Sequence, residues 1–141
     1  MQTRQRLAAL AKVVLASALL AACVGTPDDV AQLNGDHALV QRSQNGLVEA
    51  TVALGEGELA RGVNDFSIKL HADQSAAVPT LKSVGATMAV HGHHADALSI
   101  DDAGGEFHAD LDLYMSGRWQ VELGVELDAS SDLVEFALDV P

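Results

Sequence analysis

Residues 119–127 read Trp119-Gln120-Val121-Glu122-Leu123-Gly124-Val125-Glu126-Leu127. Every second side chain is apolar, and Gln120, Glu122 and Glu126 fall between them. A period of 2 places alternate side chains on opposite faces of a pleated strand, one face turned inward and the other towards water. No helix of period 3.6 accommodates that pattern, because it would spread the apolar set around the whole circumference.

The same alternation recurs on both sides of this stretch. Phe66, Ile68 and Leu70 form one set, and Val84, Ala86, Met88 and Val90 a second. Phe107, Ala109, Leu111 and Leu113 form a third, while Val134, Phe136, Leu138 and Val140 close the chain. Leu47 to Val52 and Leu98 to Ile100 add two shorter runs. Turn residues separate them: Gly55-Glu56-Gly57, Asp101-Asp102-Ala103-Gly104-Gly105, Ser116-Gly117 and Asp128-Ala129-Ser130-Ser131. About seven short strands at this spacing predict an all-β domain over residues 46–141, an immunoglobulin-like antiparallel β-sandwich. Phe66, Ile68, Leu111, Trp119, Val121 and Phe136 are its expected core.

The beginning of the chain has a different character. Arg4, Arg6 and Lys12 precede the apolar run Val13 to Ala22, and Cys23 follows. A basic start, a short apolar stretch and small residues before a cleavage point are the parts of a secretory signal. The apolar run is about half of the ~20 residues that a membrane-spanning helix needs. The order Leu20-Ala21-Ala22-Cys23 resembles the lipobox of bacterial lipoproteins. That resemblance implies that residues 1–22 are removed and that Cys23 is acylated and retains its lipid. Cys23 is also the sole cysteine, so no intramolecular disulfide can form. Each acyl methylene buried in a bilayer is worth ~0.8 kcal/mol, so lipid alone would hold the chain at a membrane. Val24, rather than Asp, follows the cysteine, which in lipoproteins implies the outer membrane, facing the periplasm, where the host has two membranes. Residues 23–45 show no sustained period and contain Pro27 and Gly35, so they read as a flexible tether with a reach of roughly 25 Å.

Charge narrows the possible partners. The chain has 8 basic and 20 acidic residues, and removal of residues 1–22 takes away three of the basic ones and none of the acidic, leaving −15. Such a surface repels phosphate backbones, which argues against nucleic acid as a partner. A serine-nucleophile elbow, a His-Glu-x-x-His pair and a phosphate-cradling glycine loop are all missing from the sequence, so no enzymatic activity is expected. Asp101 to Glu106 is acidic but lacks the ligand alternation of an EF-hand calcium loop.

Chemistry concentrates in Met88-Ala89-Val90-His91-Gly92-His93-His94, which packs three of the six histidines into four positions. Imidazole suits copper, zinc and nickel, and thioether sulfur selects Cu(I), so Met with His points to copper. If the strand continued through this segment, His91 and His93 would share a face, with His94 opposite or in the next loop. A second segment, Met115-Ser116-Gly117-Arg118-Trp119, places another thioether at a turn. Against the metal reading, Met88 continues an apolar set, and methionine in such a position ordinarily serves packing.

In order and spacing, these two segments resemble those of the YtkA-like domain family of exported bacterial proteins. That family has Met-Pro-x-His-Gly-His at one strand end and Met-Pro-Gly-x-Trp at a later one. Gly62-Val63-Asn64-Asp65-Phe66 resembles its strand-opening Gly-x-Asn-x-Phe. Ala89 and Ser116 depart from the family's prolines. The resemblance spans roughly Glu58 to Val125 and implies a sandwich engaged in copper handling outside the cytoplasm, with Met88, His91, His93 and Met115 as ligands. His94 is a further candidate. The expected partners are a membrane, reached through lipid, and an envelope or copper-handling protein. The competing expectation is a metal-free interaction or structural domain of the cell envelope.

Overall fold

The computed structural model describes Leu33 and residues 37–141. The expected signal peptide, Cys23 and most of the expected tether lie outside the described residues. Eight strands and no helix make up the described chain: β1 (Leu39–Arg42), β2 (Glu49–Leu54), β3 (Gly62–His71) and β4 (Thr80–Met88), then β5 (His93–Asp102), β6 (Glu106–Leu113), β7 (Gly117–Leu127) and β8 (Ser130–Val140). All pairings are antiparallel, and the strands form one sheet in the order β1-β2-β3-β6-β5-β4-β7-β8.

The strand expected at residues 119–127 is β7, with Trp119, Val121, Leu123, Val125 and Leu127 all buried. The remaining expected strands are also present, and Phe66, Ile68, Leu111, Trp119, Val121 and Phe136 lie in the core. Two expectations need correction. The strands number eight, because β1 forms within the stretch read as tether. Leu33, in the same stretch, is buried in the main core cluster. Val90, read as the last inward residue of its strand, is 86% exposed, because β4 ends at Met88 and the chain turns.

The sheet bends until its edges approach one another, and β1 and β8 make contact. The β1–β2 turn joins them: the Gln44 amide donates to Leu133 O at 2.8 Å. Asp132, a buried carboxylate, accepts from the amides of Asn45 and Leu133 at 3.1 and 2.9 Å and from Asn45 Nδ2 at 3.1 Å. Burial opposes its charge, but hydrogen bonds from Ser43, Leu133, Asn45 and Leu47 outweigh that and hold its pKa below the usual aspartate value.

β5 changes partner along its length. Residues 93–96 pair with β4 and residues 97–102 with β6, with a register shift between Ala97 and Ser99. Antiparallel order sorts the turns into two groups. One end of the molecule carries the β2–β3, β4–β5 and β6–β7 connections together with the start of β1. The other end carries the β1–β2, β3–β4, β5–β6 and β7–β8 connections.

Candidate functional site

Met88 is the last inward residue of β4, after Val84 and Ala86, and is 2% exposed. The backbone then reverses: the His91 amide donates to Met88 O at 3.2 Å, and Gly92 adopts φ 64°, a conformation that disfavours side chains. His93 opens β5 directly opposite Met88. Residues paired across antiparallel strands project to the same face, so the half-buried His93 stands beside Met88 at the mouth of the core.

His91 reaches this place from the turn and not along the pleat. Its ring centroid is 6.0 Å from that of His93, at 41°. A ring centroid sits about 3 Å from a metal bonded at ~2.0–2.1 Å, so two rings on one ion stand roughly 5–6 Å apart. The observed separation is therefore compatible with both imidazoles meeting one ion.

The β6–β7 turn comes to the same place. The Tyr114 ring packs edge-on against His93, centroids 5.6 Å apart, and edge-on against Trp119 at 5.5 Å. Trp119 is fully buried, and its Nε1–H donates to Met115 O at 2.9 Å, which satisfies the indole and fixes the turn. The partly buried Met115 packs on the core. Gly117 adopts φ 122°, and a Cβ there would lie 3.4 Å from Met88 Cε. The two sequence segments, some 27 residues apart, thus meet at one end of the sheet.

His94 is elsewhere. It lies on the outer face, where Nδ1 meets Thr87 Oγ1 at 3.2 Å and Nε2 meets Asp96 Oδ1 at 2.9 Å. Both ring nitrogens are engaged by neighbours on the hairpin, so it is not gathered with His91 and His93. Among the described residues, no three His, Cys, Asp or Glu side chains are grouped to hold an ion. A metal at this end would therefore draw on the thioethers of Met88 and Met115 as well as the two imidazoles, a donor set suited to Cu(I).

Two residues take structural roles that the sequence reading did not assign, although Asn64 was named there within the Gly62–Phe66 resemblance. Asn64 is buried: its Oδ1 accepts from the Ala60 amide at 3.1 Å, and its Nδ2 donates to Ala60 O and Gly62 O, each at 2.8 Å. It holds the β2–β3 loop at the site end. Asp132 was visible in principle, because it shares the inward parity of Val134, Phe136 and Leu138. Asp102, within the acidic run considered for calcium, instead caps a turn, its Oδ1 accepting from the amides of Gly104 and Gly105 at 2.9 and 3.1 Å. On the outer face of β3 and β6, Glu106 accepts from the Ser67 hydroxyl and pairs with Lys69 at 3.4 Å. The Ser67 bond, with smaller help from Lys69 and His108, lowers the Glu106 pKa despite partial desolvation. Compared with protein families, with curated proteins and with solved structures, the chain matches none.

Proposed function

We propose that the protein is a lipid-anchored extracytoplasmic module that holds or passes copper through Met88, His91, His93 and Met115. The observation that carries this reading is the meeting of the β4–β5 and β6–β7 turns, which brings His91, His93 and Tyr114 into one ring contact series beside Met88. The anchor is Cys23, which places the module in the cell envelope. In this reading the role is binding rather than catalysis.

The fold is an immunoglobulin-like sandwich with one added strand. In support, β2-β3-β6-β5 and β4-β7-β8 follow the A-B-E-D and C-F-G orders of that architecture. The partner change in β5 then marks the corner between layers. Agreement of the two motif-bearing turns with the YtkA-like pattern adds to the reading.

The test is competition for Cu(I) and Cu(II) by the purified domain, beside a His91→Ala/His93→Ala variant. Trp119 is the sole tryptophan and joins His93 through Tyr114, so Cu(II) should quench its emission in the parent and not in the variant. Ion binding requires neutral imidazole, so affinity should fall as the solution is acidified. Weak uptake, equal in both proteins and insensitive to pH, would mean that acidic groups merely attract cations. It would favour a metal-free interaction domain.

A further inference from the structure

The β1–β2 turn carries an Asn-Gly pair, Asn45-Gly46, with both residues exposed. Such a pair holds the parts of an intramolecular reaction. The side-chain amide carbon of an asparagine lies within a five-membered ring's reach of the next backbone nitrogen, and a glycine there puts no Cβ in the way. Gly46 sits at φ 72°, with nothing within 4 Å of where a Cβ would be. Gln44, Asn45, Ser131, Asp132 and Leu133 line an open depression of about 280 Å³, so water reaches the amide. A second pair, Asn34-Gly35, lies outside the described residues.

The fold restrains this reaction at both partners. The Gly46 nitrogen, which would attack, donates to Ser43 O at 2.9 Å. Asn45 Nδ2, which would leave, donates to Oδ1 of the buried Asp132 at 3.1 Å, and the Asn45 backbone amide donates to the same carboxylate at 3.1 and 3.2 Å. The tie depends in turn on the side-chain amide. An acid at position 45 would set a second carboxylate where Nδ2 now donates, and partly buried like charges so close oppose one another. The charged groups around the turn do not offset this. Glu135 accepts from Gln44 Nε2 at 2.6 Å, and Arg42 is engaged by Glu49 and Asp73 at 3.5 and 3.0 Å.

We infer that Asn45 is a site of spontaneous deamidation, restrained by the folded turn, and that the modification releases this turn from β8. The Gly46 nitrogen bonds to Asn45 Cγ, the Cγ–Nδ2 bond breaks, and Nδ2 departs as ammonia with the proton that Gly46 gives up. Water then opens the cyclic imide at either carbonyl, leaving aspartate or, with the main chain rerouted through Cγ, isoaspartate. Nothing is oxidised or reduced. Either product replaces a donor with an anion, and the loss of ammonia makes the change one-way. The inference rests on neither the lipid anchor nor any metal.

The test incubates the purified full chain in mildly alkaline buffer, folded and in urea, and follows the tryptic peptide 43–61, which holds Asn45 and no other asparagine. Conversion of Asn45 to an acid, part of it isoaspartate, is expected in both states. It should be about tenfold slower in the folded chain, because bonds at both partners must open first. Hydrogen exchange at the Gln44 amide, which donates to Leu133 O at 2.8 Å, reads the consequence. At neutral pH, Asn45→Asp should protect that amide less than Asn45→Ala, which lacks the donor but adds no charge. The urea midpoint of Asn45→Asp should also lie lower, and the gap should narrow in acid as the carboxylates are protonated. No conversion in the unfolded chain overturns the site, and equal rates in the two states overturn the restraint. Asn45→Asp indistinguishable from Asn45→Ala at neutral pH overturns the release of the turn.

Discussion

Trp119 has the largest side chain among the fully buried residues and one polar atom, which is bonded to Met115 O. Trp119→Ala should cost about 3–5 kcal/mol through lost burial and the cavity left behind. Trp119→Phe should cost less but free the Met115 turn, and urea unfolding of both variants measures the difference. Ala129 presents the opposite case. With Asp128 it makes the two-residue β7–β8 turn, at φ 49° and 61°, a geometry that suits Asn-Gly far better than an alanine. Ala129→Gly should therefore raise stability by roughly 0.5–1 kcal/mol, seen as a higher urea midpoint with unchanged slope. At this scale the sequence was most legible where a side chain's parity decides its burial, as for Trp119 and Phe136. It was least legible where the chain leaves the pleat, since nothing in the order Ala89-Val90-His91 announces that the strand has already stopped at Met88.

The β4–β5 hairpin shows the same limit for whole elements. Alternation from Val84 through Val90 continues without a break, so the strand reads two residues too long, and the turn becomes visible only through the Met88–His91 hydrogen bond. β1 was illegible for another reason. Four residues with Leu39 and Val40 as their only apolar side chains hold no repeat, and the strand exists because β2 offers it a partner and Asp132 secures its turn. That turn should respond to pH. The folded pKa of Asp132 is depressed, so its contribution is present above the ordinary aspartate range and is lost as pH falls through the folded value. Urea midpoints of the parent and of Asp132→Asn should differ at neutral pH and converge in acid. A gap that persists unchanged into acid would count against this role for the carboxylate.

For the molecule as a whole, the proposed processing at Cys23 would decide where everything else operates. Cys23→Ala should block cleavage before that residue or release the product from the membrane fraction. A normally cleaved, membrane-bound variant would count against the lipid anchor. The closure of the sheet has a consequence of its own. β8 is eleven residues long and, among the described residues, is paired on one side only, while the turn that follows the four-residue β1 is tied to the start of its free edge by the Gln44–Leu133 bond and by Asp132. A long strand edge whose one tie is released is a template for pairing with a second chain. Acid that loosens the Asp132 latch should therefore promote edge-to-edge self-association before global unfolding. Size-exclusion chromatography across descending pH would detect it as dimers that retain far-UV β signal. Asp132→Asn should form them already at neutral pH, so that in this protein one buried aspartate guards solubility as well as shape.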